Sequence, residues 1–364
     1  MINEHLMEDQ SMASAAFPRM IIFTTQMNEM ATDITKSKGL TDKFGRRHNY
    51  LRISLTPHCN LRCFYCMPNE DYDAPPAASL MQTDEIDAIV KVFARLGVSK
   101  IRLTGGEPLV RNDAGKVIEA LSKYELQLAI TTNGIRLHEF LPSLQRAGIQ
   151  SLNISLDTLD ARKFEMITKR KQFDRVWQNI ELMLANKMHV KLNVVVMKGI
   201  NDSEINDFIA LTKELPLHVR FIEFMPFDGN NWKSDKVFGW QQILNTVSTQ
   251  YDYYSLQPQQ NDTAKSYQVY NHAGTFAVIS TMTAPFCSTC NRMRLTADGK
   301  MKNCLFSTSE VDLLTPLRNG ADIEPIIRQC ILDKAEATGG QFKGIVDNID
   351  AAQIHNRSMI AIGG

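Results

Sequence analysis

Residues Leu51 to Thr56 read "LRISLT", and the alternation inside those six positions decides the fold. Successive side chains of a strand point to opposite faces, so Leu51, Ile53 and Leu55 share one face and Arg52 and Ser54 the other. The same division recurs along the chain. Ile101 and Leu103 stand against Arg102 and Thr104; Leu128 and Ile130 against Thr131; Leu152, Ile154 and Leu156 against Asn153, Ser155 and Asp157. Leu192, Val194 and Val196 then stand against Lys191 and Asn193, and His218 and Arg220 continue the polar set. These positions belong to β-like runs at Leu51–Thr56, Lys100–Thr104, Gln127–Thr132, Ser151–Leu156, Val190–Val196 and His218–Glu223. Helical patterns fall between them. In 83–97, Ile86, Ile89, Val90, Phe93 and Leu96 keep helical spacing, and Asn201-Asp202-Ser203 predicts an N-cap for a helix reaching Glu214. Strands alternating with helices predict βα units and a parallel sheet. Strands covered by helices on both faces would read apolar throughout. Here one face is polar and must line something wet or charged. The reading is therefore an α/β fold: an incomplete (β/α)6 TIM-like barrel with a polar lumen, in preference to a doubly wound open sheet. A closed barrel would fill that space with Val, Ile and Leu.

The chain has 364 residues, a prior for two domains. The pattern changes near Pro226: the stretch 241–270 is rich in Gln, Asn, Ser and Tyr, and "SYQVYNHAGTFAVIST" predicts a hairpin turning at Ala273-Gly274. The expected division is a disordered or non-homologous leader at 1–39, the barrel at 40–225, a C-terminal domain at 226–345 and a tail at 346–364. With 40 basic and 40 acidic residues, the balance excludes a generic nucleic-acid binder but leaves room for a local basic pocket. No apolar run reaches membrane-span length; the best is "LNVVVM". The N-terminus lacks a basic-then-apolar signal pattern and is acidic where a mitochondrial transit peptide is Arg-rich, so a cytoplasmic location is expected. Seven cysteines in such a chain are not a disulfide framework. They group as Cys59, Cys63 and Cys66, then Cys287, Cys290 and Cys304, with Cys330 alone and read as a buried thiol.

Cys59, Cys63 and Cys66, spaced C-x3-C-x2-C, follow the first strand directly, at the barrel face where active sites sit. A zinc half-site is the alternative, but it wants a second pair or histidines at suitable spacing. Three thiolates suit a [4Fe–4S] cluster with one iron left open. Cys287-x2-Cys290-x13-Cys304 offers three ligands again, to a zinc knuckle or to a second cluster. Arg292 and Arg294 alternate on what reads as a strand, so both face one way: a solvated edge strand, or a polyanion clamp. With Arg52, Arg102 and Lys191 aimed at the lumen, the clamp suits something like a triphosphate.

C-x3-C-x2-C, with Tyr65 before the last cysteine and "TGGEPL" after the second strand, resembles the radical S-adenosylmethionine (SAM) family. Adding "DKFGRRHNYLRISLT", "IRLTGGEPLVR", "TTNG", "SLDTLD", "NVVVMKGIND", "FIEFMP", "CNRMRLTADGKMKNCLF" and the terminal Gly-Gly, the chain from about Leu40 is similar to the GTP 3′,8-cyclase family of molybdenum cofactor biosynthesis. That resemblance implies two [4Fe–4S] clusters, on Cys59, Cys63 and Cys66 and on Cys287, Cys290 and Cys304. It implies SAM contacts from Tyr65, Gly106, Ser155 and Met225, and GTP contacts from Arg52, Arg102, Thr131, Lys191, Arg292, Met293 and Arg294. It assigns catalytic parts to Arg52 and to a tail, Gly363-Gly364, that enters the active site. It further implies GTP as substrate, guanine on the auxiliary cluster's open iron, an external electron donor, a downstream synthase making cyclic pyranopterin monophosphate, and a possible homodimer. A different two-cluster radical SAM enzyme, of the peptide-maturase type, is the alternative. The family's Asp-Arg before the first cysteine is Pro57-His58 here.

Overall fold

Six parallel strands run through the middle of one sheet in the order of the sequence: β1 (Tyr50–Ser54), β2 (Lys100–Thr104), β3 (Gln127–Thr132), β4 (Ser151–Ser155), β5 (His189–Val196) and β6 (His218–Glu223). The structure is a computed structural model, and it describes residues 39–67, 75–230, 232–342, 354 and 356–363. The leader expected at 1–39 falls almost wholly outside the described residues, as do much of the tail and Gly364.

The apolar parity set is the core. Leu51, Ile53, Ile101, Leu103, Ile130, Leu152, Ile154 and Leu192 are fully buried under the connecting helices. The helix Thr83–Arg95 presents Ile86, Ile89, Val90 and Phe93 to them. Burying side chains of this size contributes about 1.5–3 kcal/mol each, so the face opposite the lumen holds the fold together. One expectation needs correction. Asn201 does not cap the following helix. Its amide reaches back to the carbonyls of Asp157 and Val195, and its Oδ1 accepts from Met197 N. The helix itself is Ile205–Leu211 and stops short of Glu214. The hairpin turn ends it: Gly274 N and Ala273 N take the carbonyls of Thr212 and Lys213.

Strands from beyond Pro226 join the same sheet. After β7 (Tyr253–Ser255), the hairpin β8 (Lys265–Val269) and β9 (Thr275–Ile279) adds β9 in parallel to β6. At the other edge β10 (Arg292–Leu295) lies parallel to β1, and β11 (Lys300–Lys302) and β12 (Val311–Asp312) follow antiparallel. The result is a 12-stranded sheet ordered β12-β11-β10-β1-β2-β3-β4-β5-β6-β9-β8-β7. The strand bearing Arg292 and Arg294 is thus an inner strand, which overturns the solvated-edge alternative. Arg52, Arg102, Thr131, Asn153, Lys191, Arg220, Ile279 and Arg294 come from eight neighbouring strands, yet all border one cavity of about 630 Å³. Eight flat strands would span roughly 34 Å. The sheet is therefore strongly curled, and among the described residues no pairing joins β7 to β12.

Candidate active site

One end of the lumen is built on the loop after β1. Cys59, Cys63 and Cys66 all line the cavity, and the turn 63–67 is closed by Cys66 N and Met67 N donating to the Cys63 carbonyl. Burial pushes the Cys59 thiol up to about 11, with Glu107 adding to it, and Cys66 up to about 12, and it raises Cys63 well above the usual range, the neighbouring thiols and Asp157 adding to these last two. Three such thiols would ionise together only around a cationic centre. The donor set is all sulfur. Among the described residues no three His, Cys, Asp or Glu side chains converge on one ion. An all-sulfur donor set suits a cluster that takes each thiolate on a different iron.

Gly105 and Gly106 end β2 against this loop. A Cβ on Gly106 would lie 2.5 Å from the His58 carbonyl oxygen, and one on Gly105 2.7 Å from that of Thr56. Gly106 N donates to Thr56 O and Glu107 N to His58 O. The glycines are required by close backbone approach, and the unusual Pro57-His58 pair takes part through main-chain oxygens while the His58 side chain is exposed. Glu107, fully enclosed, accepts from Leu109 N, Thr132 Oγ1 and Asn133 N, so it ties the end of β2 to the end of β3. Asn133 in turn reaches Asn60 Oδ1 at 2.7 Å. Tyr65 donates to Asp157 Oδ2 at 2.6 Å, and Asp157 Oδ1 accepts from Val195 N, linking the cysteine loop to β4 and β5. Ser155, Gly106 and Met225 line the cavity beside these groups.

Deeper along the strands the wall turns cationic. Register sets Arg294, Arg52 and Arg102 abreast on β10, β1 and β2, and Lys191 and Arg220 face in from β5 and β6. Arg102 donates to Tyr50 Oη and to the Ile130 carbonyl, and Arg220 donates to Asn193 Oδ1. Burial and mutual repulsion depress Lys191 to about 8 and Arg220 to about 9. Thr131 Oγ1, Asn153 Oδ1 and Arg220 Nε are buried here and find no hydrogen-bond partner among the described residues. An unpaired buried polar atom costs about 1–3 kcal/mol; Arg220 Nε asks for an acceptor, Asn153 Oδ1 for a donor and Thr131 Oγ1 takes either, so they describe a surface that wants a polar ligand, which the surrounding cations bias toward an anion.

Cys287, Cys290 and Cys304 border the same cavity. Burial alone would raise the Cys290 thiol, but Arg292 and the buried Lys334 outweigh it and draw it down to about 7. Lys334 Nζ lies 3.7 Å from Cys290 Sγ and donates to the Arg292 carbonyl. Arg46, held by Asp42, donates to the carbonyls of Cys287, Ala335 and Glu336 and so buttresses the loop from behind. Met293 points away from the lumen into the core, 1% exposed, and the resemblance-based ligand role reaches it through its backbone at most. The tail arrives between β1 and β2. Gly363, at φ 76°, receives a hydrogen bond from Arg294, and a Cβ there would strike Thr104 Oγ1 and press on Ser54 Cβ.

The lumen also gathers residues that sequence reasoning did not assign. Arg220 and Asn153 carry the lumen parity and could have been chosen on that ground. Asp157 shares that parity, whereas Tyr50, Glu107 and, beside the lumen, Lys334 gave no such signal, because their roles rest on partners far along the chain.

Comparison with known proteins adds two family models in tandem: the radical SAM superfamily over residues 53–212 and Molybdenum Cofactor Synthesis C over 217–339. The chain is 47% identical over 332 residues to "GTP 3′,8-cyclase, mitochondrial" of Arabidopsis thaliana, covering 89% of this chain and 83% of that one. It is 40% identical over 302 residues to "GTP 3′,8-cyclase" of Desulforamulus reducens, with 81% and 92% covered. "Molybdenum cofactor biosynthesis protein 1" of Bos taurus is 46% identical over 327 residues, covering 89% of this chain but 51% of that protein, so the chain spans about half the length of such relatives. Among solved structures, Streptococcus suis SuiB bound to S-adenosylmethionine superposes with a TM-score of 0.56 at 15% identity, over 85% of this chain and 73% of that one; at that identity the likeness is one of fold.

Proposed function

The chain belongs to the GTP 3′,8-cyclase family of the radical SAM superfamily, and from that premise we propose that it converts GTP to (8S)-3′,8-cyclo-7,8-dihydroguanosine 5′-triphosphate, the first step of molybdenum cofactor biosynthesis. The observation that carries the reading is a single lumen with a thiol triad at one end, a second triad beside it and inward cations from β1, β2, β5, β6 and β10. A clamp of that charge suits the triphosphate of a nucleotide.

Cys59, Cys63 and Cys66 would hold one [4Fe–4S] cluster, and Cys287, Cys290 and Cys304 a second, auxiliary one. The first would supply, when loaded, the one-electron reduction by which SAM yields a 5′-deoxyadenosyl radical. The chain's own residues orient the reactants. Tyr65, Gly106, Ser155 and Met225 would seat SAM at the cysteine end. Arg52, Arg102, Lys191, Arg292 and Arg294 would hold the phosphates, with Thr131 on the nucleotide between. The ribose 3′ hydrogen would pass to the adenosyl group and C3′ would bond to guanine C8; the purine radical so formed would take one electron from the external donor and a proton at N7, which makes the product an isomer of GTP. The Gly363 carbonyl, seated on Arg294, keeps the tail at the reacting end of the lumen; Gly364 would follow it. Residues 226–345 act as the auxiliary-cluster domain in this reading. A reduced external donor, a downstream synthase for the cyclic product and a homodimer belong to the same proposal. So does a reducing, cytoplasmic setting, which suits seven free thiols; among the described residues no helix is long and apolar enough to cross a membrane.

Product analysis by mass spectrometry tests the reading. The protein is reconstituted anaerobically with iron and sulfide, reduced, and given SAM with GTP or with ATP. 5′-Deoxyadenosine together with a GTP isomer of unchanged mass, formed with GTP alone, is expected. Cleavage of SAM with GTP left intact would overturn the substrate and leave the superfamily chemistry standing.

A further inference from the structure

The cation wall contains one acidic group that no step above uses. Tyr50 opens β1 on the lumen side, in register with Lys100 of β2 and Arg292 of β10. Its hydroxyl accepts from Arg102 Nε at 2.6 Å and is hydrogen-bonded to Arg52 as well. Lys100 Nζ stands 5.2 Å above its ring. Its field also reaches Lys191 of β5, Arg220 of β6 and Arg294 of β10. Asp262, from the loop between β7 and β8, faces Lys100 and completes the charged surroundings.

We propose that Tyr50 is an internal counter-ion of the phosphate cradle: it gives up its proton while the lumen is empty and takes one back when a nucleoside triphosphate binds. The proposal rests on the GTP reading above. In the empty lumen the cations repel one another across a space shielded from bulk water, and a phenolate among them offsets part of that repulsion. Burial alone would hold the phenol's proton on, yet Arg102, Arg52 and Lys100 pull its ionisation from the usual 10.0 down to about 7. A triphosphate brings about four negative charges and pairs the same cations. The phenolate then faces phosphate instead of free guanidinium, like charge against like, and the proton returns. The sign follows from linkage: the free protein loses the proton above about pH 7 and the complex keeps it, so binding draws in a proton and affinity falls with rising pH, by at most about tenfold per pH unit.

The test is calorimetric titration of GTP into cluster-loaded protein at pH 8 in two buffers of different ionisation enthalpy, for the wild type and Tyr50→Phe, with near-ultraviolet difference spectra alongside. Wild type is expected to take up more protons than Tyr50→Phe, by up to about one per site, and to lose a tyrosinate band as GTP binds. Tyr50→Phe should bind GTP more tightly than wild type at pH 8 and lose that advantage at pH 6. A merely structural tyrosine predicts weaker binding by the variant at both pH values. Equal proton uptake with no change in the wild-type tyrosinate band would overturn the proposal, and that spectral arm needs no variant. Failure of wild type to bind GTP at either pH would instead overturn the substrate reading on which it rests.

Discussion

At the scale of the residue, the site depends on single atoms that have no slack. Gly363 sits at a positive φ, with its Cβ position already claimed by Thr104 and Ser54. Gly363→Ala should therefore unseat the tail while leaving the sheet intact. Expected is a loss of GTP cyclisation on the order of a hundredfold, since a misplacement of about 1 Å costs that much. SAM cleavage should persist, read as 5′-deoxyadenosine without the cyclic product. Unchanged cyclisation would remove the tail from the mechanism. Lys191 carries the second residue-level prediction. Burial and the nearby arginines hold its pKa at about 8 against the usual 10.5, so its charge is present below that pH and lost above it. The KM for GTP, already climbing from about pH 7 with Tyr50, should steepen above pH 8 in the wild type, and Lys191→Arg should remove that added rise because the guanidinium stays protonated. A pH profile of KM that is identical in the two proteins would show that Lys191 does not hold the phosphates. Identities such as these were legible in the sequence wherever strand parity marked them. Tyr50 and Glu107 were not, because what makes them matter is an arginine 52 positions away and a backbone amide 26 positions away.

At the scale of the element, the strand ends work as a linked set. Glu107 fastens the glycine turn after β2 to the start of the turn after β3, using both carboxylate oxygens on three donors. Glu107→Gln places an N–H₂ against at least one of those donors. It should cost about 1–3 kcal/mol, measured as a lower midpoint in urea denaturation, and should weaken SAM binding because the cysteine loop rests on the same turn. A variant with wild-type stability would show that the two turns are held by other contacts. The element boundaries were read closely where periodicity was strong: β2, β3 and β6 begin and end where the alternation does. The helix after β5 was misjudged at both ends. Asn201 turned its amide back to the carbonyls of Asp157, after β4, and Val195 of β5, and the hairpin from residues 273–274 capped the last turn from outside. Local propensity had no access to either partner.

At the scale of the whole molecule, the lumen is closed from behind by contacts that join the beginning of the described chain to its end. Arg46 reaches the carbonyls of Cys287, Ala335 and Glu336. Arg46→Met should leave those carbonyls unmatched, lower stability by about 3 kcal/mol in thermal unfolding, and reduce iron bound after reconstitution from roughly eight atoms toward four. Full iron retention would mean that the auxiliary loop holds its shape without the buttress. The amino-acid sequence by itself determined the βα rhythm, the division of each strand into an apolar and a polar face, the two cysteine triads and the inward cations. These are local properties: the period of a strand and the spacing of thiols do not depend on what lies across the molecule. The tertiary structure decided that β9 and β10 flank the six central strands, that Arg294, Arg52 and Arg102 stand abreast, and that Gly363 seats on Arg294. Those outcomes depend on pairing between segments as far as 242 residues apart, and pairing is set by the fit of whole faces, which no short stretch contains.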